Sequence, residues 1–197
     1  MRLVFDIETD DLDATKIWCI VAKDIDSKQI YTYGPSQIDE GCELLSDADE
    51  LIGHNIIGFD IPVLKDLTRF KTLGEGQRIV DTLVLSRLFD PVREAGHGLK
   101  SWGYKLGSSK IDFKDFTGGF SPEMLDYCIQ DVELNLKVYH ALREESRGFS
   151  KESLEIEHAV ALILKEQEKH GFLYDAMEAD LLLADLRSVV AKTEAKV

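Results

Sequence analysis

The alternation of apolar and polar positions divides the chain into a strand-rich start and a helical remainder. Residues 1 to about 33 read as three strands, Arg2 to Ile7, Ile17 to Asp24 and Gln29 to Tyr33. Asp26-Ser27-Lys28 supplies the turn between the last two. A helical pattern over Ile38 to Leu45 precedes the short apolar strand Glu50-Leu51-Ile52. Beyond a Gly-His-Asn turn, Ile61 to Leu67 continues as a helix, with Pro62 tolerated in its first turn. Arg78 to Asp81 reads as a strand, and Thr82 to Phe89 as a helix stopped before Pro91. His97 to Tyr104 predicts a short helix. Ser121-Pro122-Glu123 opens a long one, with serine at the N-cap and proline at the first position, running to about Glu145. Strands alternating with helices predict an α/β protein, a mixed central β-sheet flanked by helices.

After Arg147-Gly148 the pattern changes. Glu152 to His170 reads as an amphipathic helix, Gly171 to Asp175 as a break with a short extended piece, and Met177 onward as a final helix with no stop signal. The expectation is one domain over 1–148 and the helical start of a following domain over 149–197, broken off in mid-pattern. A chain of 197 residues is long enough for one well-buried domain with a short appendage. Its longest apolar runs, such as Ile17 to Ala22, are too short to span a bilayer, and no signal peptide precedes the first strand. Cys19, Cys42 and Cys128 lack metal-ligand spacing and read as reduced, buried thiols in a cytoplasmic protein.

The candidate chemistry lies in three separated acidic segments. Asp6 and Glu8 end the first apolar run, and residues two apart on a strand point off the same face. Asp60 closes the run Gly53-His54-Asn55-Ile56-Ile57-Gly58-Phe59-Asp60, where a strand breaks into a turn. Tyr127 and Asp131, four apart on the long helix, share one side of it. Acidic residues fill 37 of 197 positions, so roughly seven acid-x-acid triplets arise by chance and the first pair alone carries little. All three segments together predict a cluster of carboxylates, whose mutual repulsion divalent cations would offset. The five histidines (His54, His97, His140, His158, His170) have no mutual ligand spacing that suggests zinc. Gly74-Glu75-Gly76 lacks the rest of a phosphate loop and carries little weight.

The three segments resemble the exonuclease motifs of the DEDD superfamily, 3′–5′ exonucleases of RNase H-like fold. Tyr127 four residues before Asp131 matches the tyrosine subtype; the histidine subtype would need His where Asp126 stands. Asp81 to Leu88 and Leu99 to Gly107 resemble the proofreading domain of phage DNA polymerases of family A, the DNA polymerase I class. Glu155 to His158 and Gly171 to Asp175 resemble the segment that opens their polymerase region. The resemblance implies that Asp6, Glu8, Asp60 and Asp131 hold two Mg²⁺ ions, replaceable by Mn²⁺, and that Tyr127 orients the attacking water. A phenol, with a pKa of about 10 in water, is not an efficient base at neutral pH. It also implies that Leu12 and Phe59 wedge or stack against terminal bases, and that Thr9 meets the last nucleotide through its backbone. Asn55 contacts sugar or phosphate, or else stabilises its own turn. Lys100, Lys105 and Arg87 steer the strand electrostatically, or are plain surface charge.

The expected substrate is the single-stranded or frayed 3′ end of DNA, with the polymerase domain of the same full-length chain and replisome proteins as expected partners and no membrane. Two other readings stay open. RNA is one, since nothing in the motifs excludes the 2′-hydroxyl; a non-catalytic module docking a basic partner through its acidic surface is the other. The net charge of −14 is the main objection to a nucleic-acid partner, because phosphate binding normally leaves a basic footprint. Bound metals would neutralise part of it, and an exonuclease holds only a few terminal nucleotides, partly by stacking.

Overall fold

The computed structural model describes residues 1–71, 76–108, 113 and 115–195. Residues 74 and 75 of the Gly-x-Gly segment, and much of the charged stretch between Gly107 and Thr117, lie outside them. Five strands form one sheet among the described residues: β1 (Arg2–Thr9), β2 (Ile17–Asp24), β3 (Ile30–Tyr33), β4 (Glu50–Gly53) and β5 (Arg78–Asp81). Their order is β3-β2-β1-β4-β5. β1, β2 and β3 run antiparallel, while β4 is parallel to β1 and β5 parallel to β4. Parallel pairs need crossover connections, and helices supply them. Helix α1 (Ile38–Ser46) links β3 to β4, and α2 (Asp60–Leu67) links β4 to β5. Then come α3 (Thr82–Phe89), α4 (Leu99–Lys105) and the long α5 (Pro122–Glu145).

The sheet is buried on both faces, as a sheet with parallel pairs and covering helices must be. Leu3, Phe5 and Ile7 of β1 enter one apolar cluster with Leu45, Ile56, Ile61 and Leu64. Val4 enters the other, with Cys19, Val21, Trp102, Cys128 and Val132. Alternation therefore places Asp6 and Glu8 on the face of Val4, the face over which α5 packs against β1 and β2. One strand thus contributes core to both layers and acids to one end of a single layer.

Element boundaries follow the predicted ones, with physically explicable departures. β1 runs on to Thr9 because Glu8 and Thr9 still pair with Cys19 and Ile17, across an irregularity between them. Their polarity had suggested an earlier end. α4 begins at Leu99, two residues late: Gly98 takes an extended N-cap conformation and Gly96 has a φ of +82°. Ser121 caps α5, its hydroxyl accepting from the Met124 N–H at 3.2 Å, with Pro122 first in the helix.

Helices α6 (Lys151–His170) and α7 (Ala176–Glu194) complete the chain, which divides into compact units over Met1–Lys165 and Glu166–Val197. Within the first, His158 of α6 ties to the end of β5. Its Nδ1–H donates to the Leu154 carbonyl at 2.7 Å, so Nε2 is the atom that accepts the Asp81 N–H at 2.9 Å. Within the second, Asp175 caps α7 by accepting from the Glu178 N–H. No α7 residue is buried, and residues 171–175 form no strand.

Gly53 ends β4, immediately before the turn that leads to α2. A Cβ there would lie 2.0 Å from Ile56 Cγ2 and 3.1 Å from the Phe5 carbonyl oxygen. Ile56 is fully buried and has nowhere to move. Gly53→Ala is therefore expected to lower stability by about 1–3 kcal/mol in urea denaturation. An unchanged midpoint would mean that the turn after β4 is looser than described.

Candidate active site

β1 and β4 pair only from Arg2–Glu50 to Val4–Ile52. The two parallel strands then part, and a crevice opens beyond their carboxyl ends, the usual ligand position in open α/β sheets. The Ile7 N–H, past the last β1–β4 pair, is accepted by Asp60 Oδ1 at 3.2 Å. Asp60 thereby reaches the main chain of β1 at Ile7, the residue between Asp6 and Glu8 in the sequence. It opens α2 and is 3% exposed. Burial pushes its carboxyl up to about 7, against the lowering effect of its own N–H and that of Ile7, with a smaller upward push from Asp81.

The turn delivering Asp60 is held by another acid. Asp81 Oδ1 accepts the N–H of Asn55 at 2.9 Å, and Oδ2 that of Ile57 at 3.0 Å. The same carboxylate caps α3, taking the N–H groups of Leu83 and Val84. It is 1% exposed, and burial raises its pKa despite these donors. Thr82, fully buried, shares its hydroxyl proton between the Gly53 carbonyl and Asn135 Oδ1 of α5, while His54 Nδ1 lies 2.9 Å away. Ser86, next along the buried side of α3, takes the Trp102 indole N–H at 3.1 Å and meets His97 Nδ1 at 3.0 Å. The stretch from Asp81 to Leu88 thus joins β4, the Asp60 turn, α4 and α5 through buried hydrogen bonds.

From the opposite side α5 brings Tyr127, Cys128 and Asp131. Asp131 is 5% exposed, and Tyr127 is half-buried with its ring against Phe113 and Phe116, centroids 5.8 and 6.0 Å away. The Cys128 thiol donates to the Asp6 carbonyl at 3.6 Å and to Asp6 Oδ2 at 3.7 Å. Sγ of Cys128 and one carboxylate oxygen each from Asp6 and Glu8 all lie within 4.8 Å of one another. Burial pushes the Cys128 thiol well up, helped by Cys19, Asp6 and Glu8.

A cleft of about 460 Å³ opens beside Glu8, lined by Ile7, Thr9, Asp10, Asp11, Leu12, Phe59, Phe116 and Thr117. Leu12 is 83% exposed at its rim. The loop carrying it is shaped by Asp10, which accepts from the Thr15 N–H and hydroxyl and from the Lys16 N–H; the Thr15 contacts lead in holding the Asp10 carboxyl down at about 2. The opposite wall is pinned by the Trp18 indole, which donates to the Phe116 carbonyl at 2.9 Å.

No protein-family model matches the chain. It is 27% identical to the DNA-directed DNA polymerase of Escherichia phage T7 over a 245-residue alignment covering 93% of this chain and 35% of the phage protein. The polymerase of Enterobacteria phage T3 is 26% identical with the same coverage. The chain spans about a third of the length of the curated relatives it matches. Among solved structures, Brucella melitensis NrnC with bound Mg²⁺ superposes with a TM-score of 0.65 at 19% identity, over 89% of either chain. Escherichia coli RNase D, an exoribonuclease involved in structured RNA processing, gives 0.61 at 16% identity, over 84% of this chain and 45% of its own. The fold is that of these nucleases. It is the mixed, RNase H-like sheet with flanking helices that the motifs implied.

Within this fold, Asp6 and Glu8 approach one another near the end of β1, the Asp60 carboxylate accepts the N–H of Ile7 between them, and Thr9, Leu12 and Phe59 line the cleft with Glu8. Asn55 lies elsewhere. It adopts a φ of +66° in the β4–α2 turn, and its main chain takes hydrogen bonds from Gly58 and Phe59, so turn geometry accounts for it. Lys105 binds Glu145 at 2.9 Å and lies 4.6 Å from the Trp102 ring centre; Lys100 is exposed on α4. Three groups escaped the sequence reading: Phe116 and Thr117 in the cleft wall, and Cys128 beside Asp6. Only Cys128 left a signal, its i, i+3 spacing to Asp131.

The raised Asp60 pKa has a definite consequence for stability without metal. Its folded value lies above the unfolded one, so its contribution is fully present below the ordinary carboxylate range and lost as pH rises through about 7. In EDTA, Asp60→Asn should therefore be more stable than the parent at about pH 8, by about 1–3 kcal/mol, with the gap shrinking as pH falls and nearly closed at about pH 3.5. Mg²⁺ should narrow the gap at the higher pH. A gap independent of pH would contradict the assignment.

Proposed function

We propose that the chain is a metal-dependent 3′–5′ exodeoxyribonuclease domain, the proofreading part of a phage replicative DNA polymerase. It removes terminal nucleotides one at a time from a single-stranded or frayed 3′ end and releases 5′-monophosphates. The observation supporting this reading is the approach of Asp6 and Glu8 near the end of β1, with the buried Asp60 on the Ile7 N–H, Cys128 of α5 against Asp6, and a cleft with aromatic lining beside Glu8. The similarity to the phage polymerases supports DNA as the substrate. The polymerase region of a full-length chain and replisome proteins are its partners, in the cytoplasm of the host cell.

The donors suit hard divalent cations. Carboxylate oxygens are what Mg²⁺ and Mn²⁺ take, and a cation beside Asp60 would restore the charged form that burial disfavours. Asp6, Glu8, Asp60 and Asp131 would hold two such ions, Mg²⁺ with Mn²⁺ able to substitute. When bound, they supply Lewis-acid stabilisation of the phosphoryl oxygens and a nucleophile at neutral pH. Tyr127 orients the attacking water through its hydroxyl, and its ring is kept in place by Phe113 and Phe116. Phe59 and Phe116 offer stacking surfaces for the terminal bases, Leu12 wedges at the rim, and the Thr9 main chain meets the last nucleotide. Stacking tolerates every base, as removal of any mismatch requires.

The test is digestion of a 5′-labelled single-stranded DNA oligonucleotide, with an RNA oligonucleotide of the same sequence in parallel. The expected result with Mg²⁺ is a ladder shortening by single nucleotides from the 3′ end, abolished by EDTA. Asp131→Ala should lower kcat at least ~10³-fold and Tyr127→Phe ~10²-fold. Phe116→Ala should act mainly on KM, raising it roughly tenfold for the loss of one stacked base. Intact DNA with shortened RNA would make RNA the substrate. Both strands intact, from folded protein, would favour a docking module.

A further inference from the structure

Cys128 adds a different kind of donor to the site. It is fully buried on α5 with its sulfur turned toward β1, 3.7 Å from Asp6 Oδ2, and a Glu8 oxygen completes a triangle within 4.8 Å. A tetrahedral ion bound by sulfur at about 2.3 Å and by oxygen at about 2.0 Å holds the two atoms about 3.5 Å apart. The Cys128–Asp6 spacing is already close to that, before either side chain moves. Mg²⁺ takes oxygen ligands and has little use for sulfur, whereas Zn²⁺ and Cd²⁺ favour thiolate. A purely carboxylate cluster suits the first kind of ion; this cluster also suits the second.

We propose that Asp6, Glu8 and Cys128 form a binding site for thiophilic divalent cations, Zn²⁺ and Cd²⁺. Binding replaces the S–H bond of Cys128 by a sulfur–metal bond, the proton passes to buffer, and no electron is transferred. The site stands on its own donors and does not depend on what the cleft digests. Its consequence for activity rests on the nuclease reading: a cation held there occupies Asp6 and Glu8 and competes with Mg²⁺.

Cd²⁺ titration of the metal-free protein, followed by the ultraviolet charge-transfer band of the cadmium–thiolate bond, tests this directly. The band should saturate at one equivalent in the parent, in Cys19→Ala and in Cys42→Ala, and be absent from Cys128→Ala and Cys128→Ser. Glu8→Gln keeps the thiol and should weaken binding at least about tenfold. It decides the matter if the Cys128 variants do not fold. A parent with no band, a band that survives in folded Cys128 variants, or an unchanged affinity in Glu8→Gln would each overturn the proposal. Failure to digest both DNA and RNA with the band intact would remove the nuclease reading and leave the cation site standing.

Discussion

One carboxylate, that of Asp81, holds together the part of the molecule on which the site depends. It accepts N–H groups from Asn55 and Ile57 in the turn after β4, and from Leu83 and Val84 at the start of α3. Without it, the turn would carry buried donors unmet, and each such group costs about 1–3 kcal/mol. The same turn presents Asp60 to the Ile7 N–H where β1 and β4 part. A second acid, Asp60, is therefore positioned by a first acid that is wholly structural. His158 extends the arrangement outward by accepting the Asp81 N–H, so the first half of α6 is tied to the same strand end.

The polymerase-like stretch beginning at Asp81 acquires a physical meaning here. Asp81 anchors the turn, Thr82 links Gly53 to Asn135, and Ser86 links Trp102 to His97. None of these side chains lines the cleft. They tie the sheet, which bears Asp6 and Glu8, and the turn leading to Asp60 to α5, which bears Tyr127 and Asp131.

Much of the fold was legible because its periods are clean. β2, β5 and α3 fall at the predicted bounds, and the serine–proline start of α5 is a local signal with a local cause. Asp6 and Glu8 share a face because strand alternation has period two, which needs no tertiary information. What stayed hidden depends on contacts distant in sequence. The Phe116 wall exists because the Trp18 indole, 98 residues earlier, holds its carbonyl. Lys105 meets Glu145, 40 residues further on, and is thereby engaged in a way that helix position alone does not show. Cys128 had the right helical spacing, but its approach to Asp6 follows only from how α5 docks on β1.

The central claim is that the carboxylates gathered at the end of β1 and on the facing side of α5 form a divalent-cation centre. Anomalous diffraction from crystals soaked in Mn²⁺ tests it most directly. The account predicts strong anomalous peaks contacted by oxygens of Asp6, Glu8, Asp60 and Asp131, lost when Asp60 and Asp131 are both replaced by alanine. Well-ordered crystals that show these four side chains clearly, with Mn²⁺ absent from them or bound only elsewhere, would contradict it.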